Sequence, residues 1–318
     1  MHTGLRLAFM ALCLGIMAYT LDISHIRQSL SAPSPAWLLL ALLLTLPQVF
    51  LSAWRWQLTT HALGLSLSLR RAVSEYYIAT FLNQLLPGGV GGDVARAWRH
   101  GHRQASRTRA FHAVMIERAS GQLALLLIAG IMLATHPVVL TSFHRSEPSG
   151  TTGQILLAGL AGIGSLLLFR TSTRKALARF GHHIALSLCG SHLWIKQLSG
   201  SLVIVATYIG AYACCARALG STLDSLTLLA LIPPVLMAMA LPLSIGGWGV
   251  REGAAALIWA SAGLSSSEGV AISVAYGATV LVSSLPGAIV MLMGRQNTPP
   301  HQQTSSHRAG EAAVEQDI

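Results

Sequence analysis

The chain predicts an all-α polytopic membrane protein, with about six full spans and two glycine-broken re-entrant hairpins arranged as an inverted repeat; eight full spans is the alternative. Three observations lead there. Apolar residues make up 53% of the 318 positions and charged residues only 10%, a balance that a water-soluble domain of this length does not keep. Seven windows approach the roughly 20 residues that cross a bilayer: 5–21, 36–53, 111–135, 153–169, 200–218, 225–241 and 269–293. One broken segment also occurs twice, as Pro87-Gly88-Gly89-Val90-Gly91-Gly92-Asp93-Val94-Ala95-Arg96 and as Pro242-Leu243-Ser244-Ile245-Gly246-Gly247-Trp248-Gly249-Val250-Arg251. Paired interruptions of apolar segments in the two halves of a membrane protein point to a transporter-type site.

Taken in order, Arg6 precedes the first apolar run, and the absence of a small-x-small cleavage site directly after that run favours a retained span over a signal peptide. The second span returns at Trp54-Arg55-Trp56, so a loop with Arg55, Arg70 and Arg71 falls inside under the positive-inside bias. Segment 73–86 leads into the first break and then to Arg96, Arg99, Arg103, Arg107 and Arg109. A full crossing would put all five outside, whereas a hairpin that enters and leaves by the inner face does not.

Span 111–135 then goes out, 153–169 returns to a basic loop, and 200–218 goes out again. Segment 225–241 dips in to the second break, a short arm at 253–263 climbs back, and 269–293 ends inside at Arg295. Residues 1–294 thus form a single integral membrane domain with half-repeats of about 1–135 and 153–294, and 295–318 is a disordered polar tail. Three crossings per half is an odd number, so the halves are inverted and the two glycine tips enter from opposite faces. The location expected is a bacterial-type inner (cytoplasmic) membrane with both termini cytoplasmic.

A proline followed by glycines ends a helix, and the helix that restarts presents free N–H groups and partial positive charge suited to an anion. Asp93 is expected to cap a helix starting at Val94, and Gly249 with Glu252 forms a weaker cap. Arg96 and Arg251, in the first turn, can add paired donors to a phosphate. The competing reading is that Gly91, Gly92, Gly246 and Gly247 only allow close packing.

Glu117 and Arg118 lie inside a span without an opposite charge one turn away, so Arg251, Glu252, Arg96 or Asp93 must supply partners. Asn83 and Gln84 bond across helices or line a cavity, and Glu75 reads as a solvated carboxylate near the interface. Arg96, Arg99, Arg103 and Arg107 fall at helical spacing, as on an interfacial helix against anionic headgroups, or form a merely topogenic loop.

The net charge of +10 lies in short loops beside apolar spans, which fits lipid and topology and not nucleic acid. Cys13, Cys189, Cys214 and Cys215 lack metal-ligand spacing and read as packing residues, and the thirteen histidines are scattered. No metal, cofactor or catalytic residue is expected, since no nucleophile elbow or serine–histidine pair stands in a convincing context.

The residues Asn83-x-x-Leu86-Pro87-Gly88-Gly89-Val90-Gly91-Gly92-Asp93-x-x-Arg96, Glu117-Arg118-x-x-Gly121 and Pro242-x-Ser244-Ile245-Gly246-Gly247-x-Gly249-x-Arg251-Glu252 resemble the flippase-like transmembrane region of lysylphosphatidylglycerol synthases, also seen as free-standing bacterial and archaeal proteins. The likeness runs over about 5–294. It implies a lipid-handling membrane protein and argues against lysyl transfer by this chain alone. Carried over, the pattern marks Pro87, Gly91, Gly92, Asp93, Arg96, Glu117, Arg118, Gly246, Gly247, Arg251 and Glu252 as the functional cluster, to which Asn83 is added. Trp248 stands where the first repeat has Asp93, so the tips are chemically unequal. The function expected is translocation of an anionic phospholipid or glycolipid through the bilayer. The alternatives are a non-transporting subunit or scaffold of a lipid-modifying or envelope-biogenesis enzyme, and a membrane-embedded transferase built on Glu117, Glu252 and Asp93. Oligomeric state leaves no trace in the sequence.

Overall fold

A computed structural model describes residues 31–86, 89–104, 106–135, 193–239 and 246–296. The expected spans 5–21 and 153–169, Pro87, the segment Pro242 to Ile245, Cys13, Cys189 and all of the tail beyond Gln296 lie outside the described residues. Among the described residues every regular element is an α-helix: α1 (Pro35–Ala62), α2 (Leu69–Leu85), α3 (Gly91–Arg103), α4 (Arg107–Thr135), α5 (Leu193–Ala218), α6 (Ser225–Ala238), α7 (Val250–Ser261) and α8 (Ser266–Gln296).

Four of these, α1, α4, α5 and α8, are long and apolar enough to cross a membrane. Pro35 opens α1, where its missing N–H has no helical partner to lose. The helix then runs 28 residues, about 42 Å at 1.5 Å per residue, well past the expected end at 53. Arg55 therefore sits inside α1 and is buried, which corrects its assignment to an inner loop. The other four helices are short, with 17, 13, 14 and 12 residues in α2, α3, α6 and α7. Asp224 caps α6, accepting from Thr227 N–H at 3.0 Å.

Two apolar cores follow the two halves. One gathers Trp56, Tyr76, Ala97, Val114 and Ile116 from α1 to α4. The other gathers Tyr212, Leu231, Ile232, Trp259 and Tyr276 from α5 to α8, with Ala41 of α1 and Ala124 of α4 joining it to the first half. Cys214 and Cys215 are free and buried there, as packing residues.

Small residues set the closest approaches. A β-carbon at Gly92 would overlap the Ala79 carbonyl, so α3 folds back onto α2 almost backbone to backbone. A β-carbon at Gly287 would meet the Tyr77 carbonyl in the same way, which ties α8 of the second half to α2 of the first.

Candidate functional site

The first break restarts as a helix at Gly91, with Val90 at the cap position. Asp93 is thus inside the first turn and not the cap of a helix beginning at Val94. Its carboxylate nevertheless stands where an anion is favoured, at the positive end of the helix. Asn83, from the last turn of α2, holds it there: its side-chain N–H donates to Asp93 Oδ2 at 3.1 Å, and its carbonyl accepts from Gly92 N–H at 2.7 Å. Of the two roles open to Asn83, bonding across helices is the one these contacts show.

From Asp93 the charges continue as an alternating chain across helices. Arg96 donates from Nε to Asp93 Oδ1 at 2.9 Å and from Nη2 to Glu117 Oε2 at 2.7 Å. Tyr76 O–H donates to Glu117 Oε1 at 3.2 Å, and Arg55 Nη1 lies 3.9 Å from the same oxygen. At the opposite end, Arg118 Nη2 lies 2.6 Å from Asp93 Oδ2. The order is Arg55, Glu117, Arg96, Asp93, Arg118, contributed by α1, α3 and α4, and it ends in arginine at both sides.

Arg96 is 0% exposed and lies between the rings of Trp56 and Tyr76, 4.7 and 4.4 Å from their centroids, where cation–π attraction offsets part of its desolvation. Losing one member of such a buried network leaves an unpaired charge at a cost of about 3–5 kcal/mol. Among the described residues three arginines face two carboxylates, so this run of charges carries one surplus positive charge.

Arg55, Tyr76 and Gln197 are neighbours of this network that sequence reasoning missed. Arg55 donates to the Glu117 carbonyl at 2.9 Å and to Gln197 Oε1 at 3.0 Å, and Gln197 in turn donates to Thr59 Oγ1 at 2.8 Å. The available signal was an arginine flanked by two tryptophans within an apolar stretch, a setting that also suits a span end. Glu75 is corrected too: it is buried and paired with Arg99, whose Nε donates to it at 2.7 Å. The expected single face of Arg96, Arg99, Arg103 and Arg107 does not form, because α3 ends at Arg103 and Arg107 opens α4, stacked 4.4 Å over the Trp98 ring.

The second break is built differently. Gly91 aligns with Gly246, yet α7 begins only at Val250, about one turn later. Gly246, Gly247 and Gly249 fill the gap at positive φ, which β-carbons disfavour. Glu252 consequently takes the place in its helix that Asp93 has in α3, and accepts from Gly249 N–H at 2.6 Å. Arg251 Nε donates to Glu252 Oε1 and to Ser273 Oγ, each at 3.0 Å, and its guanidinium sits over the Trp248 and Tyr276 rings. A β-carbon at Gly277 would overlap that guanidinium. Arg251 and Glu252 thus partner each other, while Glu117 and Arg118 draw theirs from Arg96 and Asp93.

The two breaks adjoin. Gly246 lies against Gln84, next to the Asn83 that holds Asp93; a β-carbon at Gly246 would collide with the Gln84 amide oxygen. Of the expected site residues, Asn83, Gly92, Asp93, Arg96, Glu117 and Arg118 come together in one place. Gly246, Gly247, Arg251 and Glu252 form the adjoining second group, Gly91 packs on the Leu86 side chain, and Pro87 lies outside the described residues.

A family profile described as the lysylphosphatidylglycerol synthase TM region matches residues 4–287. The chain belongs to that family. Searches among curated proteins and among solved structures gave no match. Membership in this transmembrane-region family agrees with the all-helical architecture and its membrane-spanning helices, and makes the chain a multi-pass membrane protein.

Proposed function

We propose that this member of the synthase transmembrane-region family translocates a lipid with an anionic or glycosylated headgroup between the leaflets of a bacterial-type inner membrane, with both termini cytoplasmic. The observation that supports the reading best is the surplus positive charge of the Arg55–Arg118 chain beside the junction of the two breaks at Gln84 and Gly246. Buried cations inside a membrane domain are costly and are kept where an ion or headgroup passes. The alternating pairs hold that charge in fixed geometry, so a headgroup meets preformed donors. The second cluster is neutral and buried, and serves as a structural counterpart that shapes the start of α7 and ties it to α8.

In this reading α2–α3 and α6–α7 are re-entrant hairpins within one membrane domain built from two inverted halves. Helices of 12 to 17 residues fall short of the roughly 20 needed for a crossing, which supports it. Cysteines introduced at Arg103 and Ser265 should be labelled from opposite sides of the membrane; labelling of both from the outside would instead establish eight full spans.

Function is tested with purified protein in liposomes that carry a fluorescent anionic phospholipid. Bleaching of the label by a membrane-impermeant reductant should reach inner-leaflet lipid at least about tenfold faster than in protein-free vesicles, a change of about 1.4 kcal/mol in barrier. Equal rates in the two vesicle types would favour a non-transporting subunit of an envelope-biogenesis enzyme.

A further inference from the structure

The charge chain has two unlike ends. Arg55 is enclosed: its donors go to Glu117, Ser120 and Gln197, and it is buried. Among the described residues Arg118 has one charged partner, Asp93, while its Nε is buried without a hydrogen-bond partner and its side chain is 41% exposed. That exposure occurs about 16 Å along α4 from its start at Arg107, inside a helix long and apolar enough to cross a membrane. A guanidinium at such depth needs a partner beyond hydrocarbon. Exposed apolar side chains stand near it, Val90 and Val94 on either side of Asp93 and Met115 one turn earlier on α4, while Gln122 one turn later is its exposed polar neighbour. A cation near exposed apolar side chains complements a molecule that is anionic at one end and hydrocarbon at the other.

We propose that Arg118 is the docking point of a phosphodiester headgroup arriving sideways from the bilayer, and that Asp93 occupies its place until the headgroup displaces it. This rests on the lipid-translocation reading and adds the residue, the ligand chemistry and the exchange. One monoanionic phosphodiester cancels the one surplus charge of the chain. Asp93 can release Arg118 without being stranded, because Oδ1 stays on Arg96 and Asn83 still donates to Oδ2. Binding and release are then a swap of one anion for another on a fixed guanidinium, with no bare charge at either step. A bidentate oxyanion also satisfies the idle Nε, which the present contact with Asp93 does not.

The test uses the full chain in detergent, titrated calorimetrically with dioctanoyl phosphatidylglycerol, with dioctanoylglycerol as the phosphate-free control. Arg118→Gln should weaken binding about tenfold or more, as loss of a charged hydrogen-bond partner does, whereas Arg118→Lys, which keeps the charge but not the bidentate fork, should fall between Arg118→Gln and the parent. Asp93→Asn, by removing the internal competitor, should tighten binding about fivefold. Thermal unfolding of each variant separates lost binding from lost fold.

Parental affinity in a folded Arg118→Gln protein, or weaker binding in a folded Asp93→Asn protein, would overturn the proposal. Water-soluble glycerophosphoglycerol should bind about a hundredfold more weakly than the lipid, and equal affinity would overturn access from the bilayer. If this binding pattern holds while the parent protein moves no lipid, the docking site stands and the translocation reading fails.

Discussion

The two breaks share a sequence pattern and differ in how their arginines are neutralised. In the second, Arg251 and Glu252 are neighbours in sequence, pair with each other, and form a neutral unit with Ser273 inside the α7–α8 hairpin. In the first, Arg96 reaches Asp93 in its own helix and Glu117 in another, and the chain extends to Arg55 and Arg118. A locally closed pair can be retained for structure alone. A network spread over several helices, with a surplus charge and an exposed end, has a charge left to pair, which is what the proposed function uses.

The strongest way to break this contrast is Glu117→Ala, which leaves Arg96 and Arg55 buried without their shared counter-charge. Unfolding in detergent should show a loss of about 3–5 kcal/mol, and a loss under about 1 kcal/mol would mean that the network is not held as a unit.

The second cluster should behave as a separable pair. Arg251→Met alone strands Glu252 and should cost about 3 kcal/mol, whereas Arg251→Met with Glu252→Gln should recover most of that. Translocation by the double variant should stay close to parental; a transport defect in a stable double variant would make the second cluster a participant and erase the contrast.

Smaller effects sharpen the geometry. Gly92→Ala forces α3 away from the Ala79 carbonyl and should cost about 1–3 kcal/mol in the same assay. It should also disturb Asp93 through Asn83, lowering transport beyond what the stability loss explains. Gly253→Ala, at a glycine of α7 with open space around it, should leave stability nearly unchanged.

The smallest expected effect concerns Asp224 at the exposed start of α6. Hydrogen bonds from the Thr227 hydroxyl and backbone hold its carboxyl below the usual carboxylate range. The folded-state pKa is depressed, so this contribution is present above the unfolded-state pKa and fades as pH falls through the folded one. Asp224→Asn should keep the cap and flatten that part of the acid dependence, read as thermal stability against pH.

Much of the site was legible because the rules involved are local. Glu117 and Arg118 had no partner within a helical turn, which required partners from elsewhere, and Arg96 and Asp93 are those partners. Arg55 was misread because a positive-inside argument and a buried network both place arginine near the end of an apolar stretch. Glu75 was misread as solvated because nothing nearby in sequence announces Arg99 as its partner. The alignment of Trp248 with Asp93 was correct as a sequence comparison. It missed that α7 restarts about one turn late, which lets Glu252 take over the position of Asp93.

By itself, then, the sequence determined that the chain is helical, that it lies in a membrane and that two glycine breaks interrupt it, because hydropathy, helix termination and the cost of charge in hydrocarbon act over a few residues. Tertiary structure alone decided which charges meet, that Gly246 lies against Gln84, and that Arg118 is left open while Arg251 is sealed. Those outcomes depend on how closely α2, α3, α4 and α8 approach one another, and that spacing is set by contacts between residues far apart in the chain.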